Sequence, residues 1–339
     1  MNQAAASATP FDDVRELAHR EMTPDTGAQE KVREALLGMG RKGDFGKLGD
    51  AAEWLAGWQR RYPPRIENAT LAIFAGSHGV AAGGGGVTLS SDSSTRERVD
   101  DLREGRAPLS AIAAANQANI RVFELAIEQP TADFTDGAAM SERECAATIA
   151  YGFEALEGKP DVLALGVLGA GIGTAAAAVA CGLYGGTPDY WVRPGPSTPK
   201  EISVARIEAV NAGLARHRGR LDDPLEALRC LGGRELAACV GAILAARVQS
   251  VPVLLDGFAT TIAAGIVHAI DAKAVGHTLA AHVTKRPAHQ AALDRLDLQP
   301  LLPLEFSTGG GMGSVAAIGM LRTACAPFLG QPTGAGASG

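Results

Sequence analysis

Short runs of Val, Ile, Leu and Phe alternate along this chain with longer Ala-rich runs, and most of the short runs end on glycine or a small polar residue. Five are strand-like: "NATLAIFAG" (68–76), "NIRVFELAI" (119–127), "DVLALGVLG" (161–169), "VPVLLDG" (251–257) and "QPLLPLEF" (299–306). Near-continuous apolar strands separated by helices predict an α/β fold with a mainly parallel sheet covered on both faces. The segments "SERECAATIAYGFEAL" (141–156), "TAAAAVACGLYGG" (174–186) and "GRELAACVGAILAARVQS" (233–250) carry apolar residues at helical spacing and read as crossover helices. In open α/β sheets the ligand sits outside the carboxyl ends of the strands, where small residues let it approach backbone N–H groups and helix N-termini. The glycines therefore predict one shared cleft.

The segment 11–62 is helical and charged and ends at Pro63-Pro64. It is expected to form a small helical subdomain joined by a last helix over 314–328, with 63–313 as the α/β domain and disorder at 1–10 and 329–339. At 339 residues and 46% hydrophobic, the chain can bury one large core or two unequal ones. The start shows no basic stretch leading into an apolar run, and no segment reaches the roughly 18 uninterrupted apolar residues of a membrane span; the expectation is a cytoplasmic protein with no membrane partner. A formal net charge of −6 without a basic stripe argues against nucleic acid and for a small-molecule partner. Five scattered cysteines read as buried apolar residues, and His277, His282 and His289 lack the spacing of a metal site.

Several motifs could carry chemistry. "LGAGIGTAAAAVA" follows a strand, opens a helix and spaces Gly169, Gly171 and Gly173, but Thr174 stands where a dinucleotide fingerprint needs its third glycine. It reads as a phosphate-binding helix start, with a dinucleotide site and a purely structural turn as alternatives. Gly76, Ser77 and His78 follow the first strand, with glycines 83–86 behind them; His78 reads either as a ligand contact or as a satisfied structural histidine. Asp256 ends a strand, where a carboxylate can receive loop N–H groups or a substrate proton. Glu235 lies in a first helical turn, where its charge complements the helix dipole. Glu305 is the carboxylate nearest in sequence to the run Gly309, Gly310, Gly311 and Gly313, which forms a candidate substrate-binding turn.

Taken together, these stretches resemble the nicotinate-nucleotide:dimethylbenzimidazole phosphoribosyltransferases, the CobT-type family, over roughly residues 10–328. "FAGSHGV" is similar to the family's F-A-G-D/N-H-G-V and "CAATIAYGFEAL" to its C-A-A-T-M-A-F-G-M-E-A-I. "LDDPLEALRCLGGRELAACVGAILAA" matches its D-P-L-E…L-G-G-R-E-I-A-A run, and "VPVLLDGF" its strand of nearly the same spelling. The resemblance implies a doubly wound, Rossmann-like three-layer fold and a homodimer. It implies transfer of ribose 5-phosphate from nicotinate mononucleotide to a benzimidazole nitrogen in cobalamin lower-ligand assembly. No metal or redox cofactor is implied, because a pyridinium is already a good leaving group and the protein has mainly to align the nucleophile and accept its proton.

Against that pattern the departures fall in the loops. The family's proton acceptor is the glutamate of G-E-G-T-G-A, which falls on Gly310; a second acidic position falls on Val167; and Arg286 stands for a glutamate in "TKRPAH". "GRAPLS" brings Arg106 and Ser110, and Ser77 replaces the family's Asp or Asn. No family catalytic group is intact. Three readings follow: a transferase in which Glu305, His78 or Asp256 replaces the missing base; a non-catalytic paralogue that binds a nucleotide or heterocyclic base, or pairs as the silent subunit with an active homologue; and a nucleotide-dependent oxidoreductase using the Gly169–Gly173 loop.

Overall fold

The computed structural model describes residues 9–41, 43–84, 86–90, 94–193, 198–306 and 310–329. The expected disordered ends, apart from residues 9, 10 and 329, lie outside the described residues. The chain begins with α1 (Asp12–His19), α2 (Thr26–Met39) and α3 (Gly46–Gln59), then enters β1 (Ala69–Ala75). It continues through α4 (Ser94–Arg103), α5 (Pro108–Ala115), β2 (Ala118–Glu124), α6 (Glu142–Tyr151) and β3 (Val162–Leu168). A long helical excursion follows: α7 (Ile172–Tyr184), α8 (Pro188–Val192), α9 (Lys200–Arg216), α10 (Pro224–Leu231) and α11 (Arg234–Gln249). The last elements are β4 (Val253–Leu255), α12 (Gly257–Ile270), β5 (Thr278–Ala280), α13 (Pro287–Arg295) and α14 (Met312–Leu329).

All five strands are parallel, in the order β2-β1-β3-β4-β5. Because side chains alternate across a strand, each strand feeds two cores. Ala72 and Phe74 of β1 and Leu163 and Leu165 of β3 pack with α7, α11 and α12 on one face. Leu71 and Ile73 of β1 and Val162 and Ala164 of β3 pack with α2, α3 and α14 on the other. The fold is thus a three-layer doubly wound α/β protein. α14 is the one described helix long and apolar enough to cross a membrane by length and composition, but half of it is buried, against β1, β3 and β4.

Two sequence expectations change. The run 299–306 is not a strand: only Leu302 bridges His282, and the prolines at 300 and 303 remove the N–H groups that a ladder needs. Its place is taken by β5, whose three residues are too few to show a period. The helices of 11–62 divide between the layers: α1 packs on α11 and α12, its Ala18 carbonyl accepting from Arg247 Nη1 at 2.6 Å, whereas α2 and α3 join α14 across the sheet.

Candidate active site

In this strand order the crossover direction reverses between β1 and β3, the switch point beside which doubly wound sheets bind ligands. The loops leaving the two strands touch. Gly76 N–H donates to the Leu168 carbonyl at 2.9 Å, and a Cβ on Gly169 would run into the Gly76 carbonyl. Gly171 caps α7 at φ +89°, and a Cβ there would come within 2.9 Å of the Ala81 Cβ and 3.0 Å of the His78 Cβ. Backbone alone fits here, leaving the first N–H groups of α7 at the switch point. Thr174 is buried one turn further in, 1% exposed.

Two part-buried arginines flank that helix start. Arg286, at the N-cap of α13, donates from Nη2 to the carbonyls of Gly173 (3.3 Å), Trp191 (3.0 Å) and Val192 (3.3 Å) and lies over the Phe258 ring at 4.3 Å. Arg206 on α9 donates to the Val87 carbonyl at 2.7 Å. Neither has a carboxylate partner among the described residues. Burial, and secondarily the charge of Arg206, push the Arg286 guanidinium down to about 9; burial also lowers Arg206. Two desolvated cations with no counter-charge among the described residues, beside a helix N-terminus, form a place suited to an anion.

Sequence reasoning nominated three groups as substitute bases, and the structure engages each one elsewhere. His78 and Glu235 are fully buried, with Nε2 to Oε1 at 2.9 Å, and Gly76 and Gly233 provide the space the pair occupies. Asp256 is 1% exposed; its Oδ2 accepts from Gly311 N–H at 2.7 Å, and its Oδ1 accepts from Ser314 N–H at 2.9 Å and lies 3.2 Å from His282 Nε2. Burial by itself would raise its pKa, but the His282 ring and the two N–H donors hold the carboxyl below the usual aspartate range. Asp256 is therefore the latch that fixes the start of α14 against β4. Glu305 points into solvent at 68% side-chain exposure, with Lys285 Nζ at 3.7 Å. Ser77 donates its hydroxyl to the Ile127 carbonyl at 2.8 Å, tying the β1 loop to the end of β2.

The glycine turn does lie at the cleft. Gly309 is outside the described residues. Gly310 and Gly311 take φ +120° and +105° and cross directly over Gly166 of β3, where a Cβ would come within 3.2 Å of their backbone. A Cβ on Gly311 would meet Leu71 at 2.7 Å, and one on Gly313 would strike the His282 ring. At Gly310 the space is open, the nearest atom being the Val167 carbonyl oxygen at 4.0 Å. That space belongs to a cavity of about 270 Å³ walled by Gly310, Leu168, Met312, Leu109 and Leu102, with Asp101 on its polar side. Val167 is 7% exposed, its side chain in the sheet core.

Asp101 escaped the sequence reading because "RERVDDLREG" looks like an ordinary solvated helix face. Arg206 was missed for the same reason, and His282 because it follows a strand too short to recognise. The five cysteines are free and buried, with thiol pKa values raised by burial, which keeps them from acting as nucleophiles. No cluster of three or more metal-ligating side chains occurs among the described residues.

Fold and site together define a doubly wound α/β protein with an anion-suited helix start following β3 and a small apolar cavity lined by the last residue of that strand. A family model described as a phosphoribosyltransferase matches residues 22–338. The nicotinate-nucleotide–dimethylbenzimidazole phosphoribosyltransferase of Rhizobium meliloti is 44% identical over 330 residues, covering 97% of each chain; that of Brucella canis is 41% identical over the same span. The crystal structure of the Thermus thermophilus enzyme of that name aligns with a TM-score of 0.81 at 28% identity, over 90% of this chain and 96% of its own. A second structure, that of CobT from Thermus thermophilus, aligns with a TM-score of 0.80 at 30% identity, over 88% of this chain and 96% of its own. The chain belongs to the nicotinate-nucleotide–dimethylbenzimidazole phosphoribosyltransferase family.

Proposed function

We propose that this protein transfers ribose 5-phosphate from nicotinate mononucleotide to a benzimidazole-type base, releasing nicotinate, as a cytoplasmic homodimer serving cobalamin nucleotide-loop synthesis. The observation that carries the reading is that both features lie where the chain leaves β3: Leu168, its last residue, lines the apolar cavity beside Gly310, and Gly171, three residues on, caps the anion-suited start of α7. The 5-phosphate would lie at the N-terminus of α7, over Gly169, Gly171, Gly173 and Thr174, and would supply the counter-charge that Arg206 and Arg286 lack among the described residues. The flat acceptor would enter the cavity between Leu168 and Met312. The protein's contribution is alignment: nucleophile, anomeric carbon and leaving pyridine are held in line, which replaces an encounter between free molecules. Chromatographic assay of nicotinate in the presence of nicotinate mononucleotide and dimethylbenzimidazole tests this, with acceptor-dependent release as the expected result.

A second reading is favoured by one observation, that position 310 presents no side chain and Val167 none that is acidic. On it the protein is a non-catalytic binder of the same nucleotide or base, or the silent partner of an active homologue. Nicotinate mononucleotide would then raise the melting temperature without any nicotinate being formed.

A further inference from the structure

Resting on the transferase reading above, we infer that Asp101 is the general base that accepts the acceptor's proton. The argument starts from the cavity. Its walls beside Gly310 are apolar except on the side of α4 and the loop after it, where Arg98, Asp101 and Arg106 stand. Among the described lining residues Asp101 is the sole carboxylate, and no histidine is present. A benzimidazole seated there has, among the described lining residues, one side chain that can take a proton. Arg98 and Arg106 cannot, because a guanidinium offers hydrogen-bond donors and no acceptor.

The surroundings of Asp101 hold it for that role. Arg106 Nε donates to Asp101 Oδ1 at 2.9 Å, and Arg106 Nη2 approaches the same oxygen at 2.8 Å. The backbone N–H groups of Arg106 and Ala107 both donate to the Asp101 carbonyl, at 2.8 and 3.1 Å. One carboxylate oxygen and the main chain are thus fixed, and Oδ2 has no partner among the described residues. Arg106 also pairs with Glu104 outside the cavity wall, so the loop from 104 to 107 is tied down on both sides. Position 310 has no side chain to compete for the space, since a Cβ there would find nothing nearer than 4.0 Å. The lost carboxylate on one wall is thereby matched by one present on another.

The step balances without a co-reactant. The acceptor's unprotonated ring nitrogen attacks the anomeric carbon while the bond from that carbon to the pyridinium nitrogen breaks, its electron pair neutralising the leaving nicotinate ring. As that bond forms, the acceptor's second nitrogen gives up its proton to Asp101 Oδ2, so that the benzimidazole riboside is left neutral. The side chain is half-exposed, so the proton passes on to solvent.

The test compares the wild-type protein with Asp101→Asn on two acceptors, dimethylbenzimidazole and an N-methylbenzimidazole that has no proton to give up. Asparagine keeps an oxygen for Arg106 and leaves the backbone bonds untouched, so the loop persists. The expected result is a fall in kcat of about 10²- to 10⁴-fold with dimethylbenzimidazole, at unchanged KM for nicotinate mononucleotide, and equal rates for the two proteins with the methylated acceptor. Equal rates with both acceptors overturn the assignment and leave the transferase reading standing, and so does an equal loss with both, which marks Asp101 as merely structural. If wild-type protein releases no nicotinate with either acceptor, both the assignment and the transferase reading fall.

Discussion

Replacing Asp256 by asparagine tests whether the cleft is held together as described. The carboxylate is fully buried and serves three neighbours: Gly311 N–H at 2.7 Å, Ser314 N–H at 2.9 Å and His282 Nε2 at 3.2 Å. Asparagine retains one acceptor oxygen, so one of the two backbone donors keeps a neutral partner while the other faces an NH₂ group. Losing one charge-assisted bond removes roughly 1.5–3 kcal/mol, and converting the other to a neutral bond about 1 kcal/mol more. The expected loss is therefore about 2.5–4 kcal/mol, the replacement being nearly isosteric and so free of any cavity contribution. Urea titration at neutral pH should show a lower midpoint with an unchanged m-value. The sign with pH follows from the depressed carboxyl: its contribution is complete above the unfolded aspartate value of about 3.9 and vanishes as pH falls through the folded value. The variant should accordingly approach the parent in strong acid. A loss below about 1 kcal/mol at neutral pH would show that Asp256 does not latch α14 to the sheet, and the reasoning would fail.

Three further outcomes follow from the same contacts. His277 and His289 are both pushed down to about 3 by burial, so between there and about 6.5 the unfolded chain binds two more protons; stability should drop as pH falls through that window, by up to about 2.7 kcal/mol per pH unit, read by urea titrations at stepped pH. Gly241→Ala would drive a methyl into the Ile149 carbonyl where α11 crosses α6, and should cost more than about 3 kcal/mol, whereas Gly38→Ala on the open face of α2 should stabilise by about 0.5–1 kcal/mol in the same denaturation assay. Gly310→Glu in the Asp101→Asn background should restore acceptor-dependent nicotinate release, because the space is open, while the φ of +120° costs about 1–3 kcal/mol of stability; absence of any recovery in a correctly folded double variant would count against the placement of the acceptor.

How far the sequence could be read depended on whether a residue's role is local. The strands β1 and β3 each run seven residues of almost wholly apolar spelling, so they and the glycines that end them were plain, and β2 showed in the alternation of Asn119 and Arg121 with Ile120 and Val122. β5 has three residues and borrows its strand character from β4, a tertiary fact that no local pattern records. The helix start at Gly171 was visible because a positive-φ glycine cap has a local spelling; the arginines beside it come from residues 206 and 286 and meet only in the fold. Asp256 announced itself at a strand end, yet whether it faces substrate or backbone depended on the return of the chain more than fifty residues later, at Gly311 and Ser314. The absence of a side chain at 310 was legible from the motif alone. The carboxylate opposite it was not, because a charged helix face looks the same whether it meets water or a cavity.

In the proposed function the acceptor base occupies the cavity beside Gly310 and the phosphate lies at the start of α7. A crystal structure of the protein with dimethylbenzimidazole and nicotinate mononucleotide measures this directly. The account predicts a planar ring between Leu168 and Met312 with a ring nitrogen turned toward Asp101, and a phosphate among the N–H groups following Gly171, near Arg206 and Arg286. A ring bound anywhere else, with the Gly310 cavity empty, would contradict it.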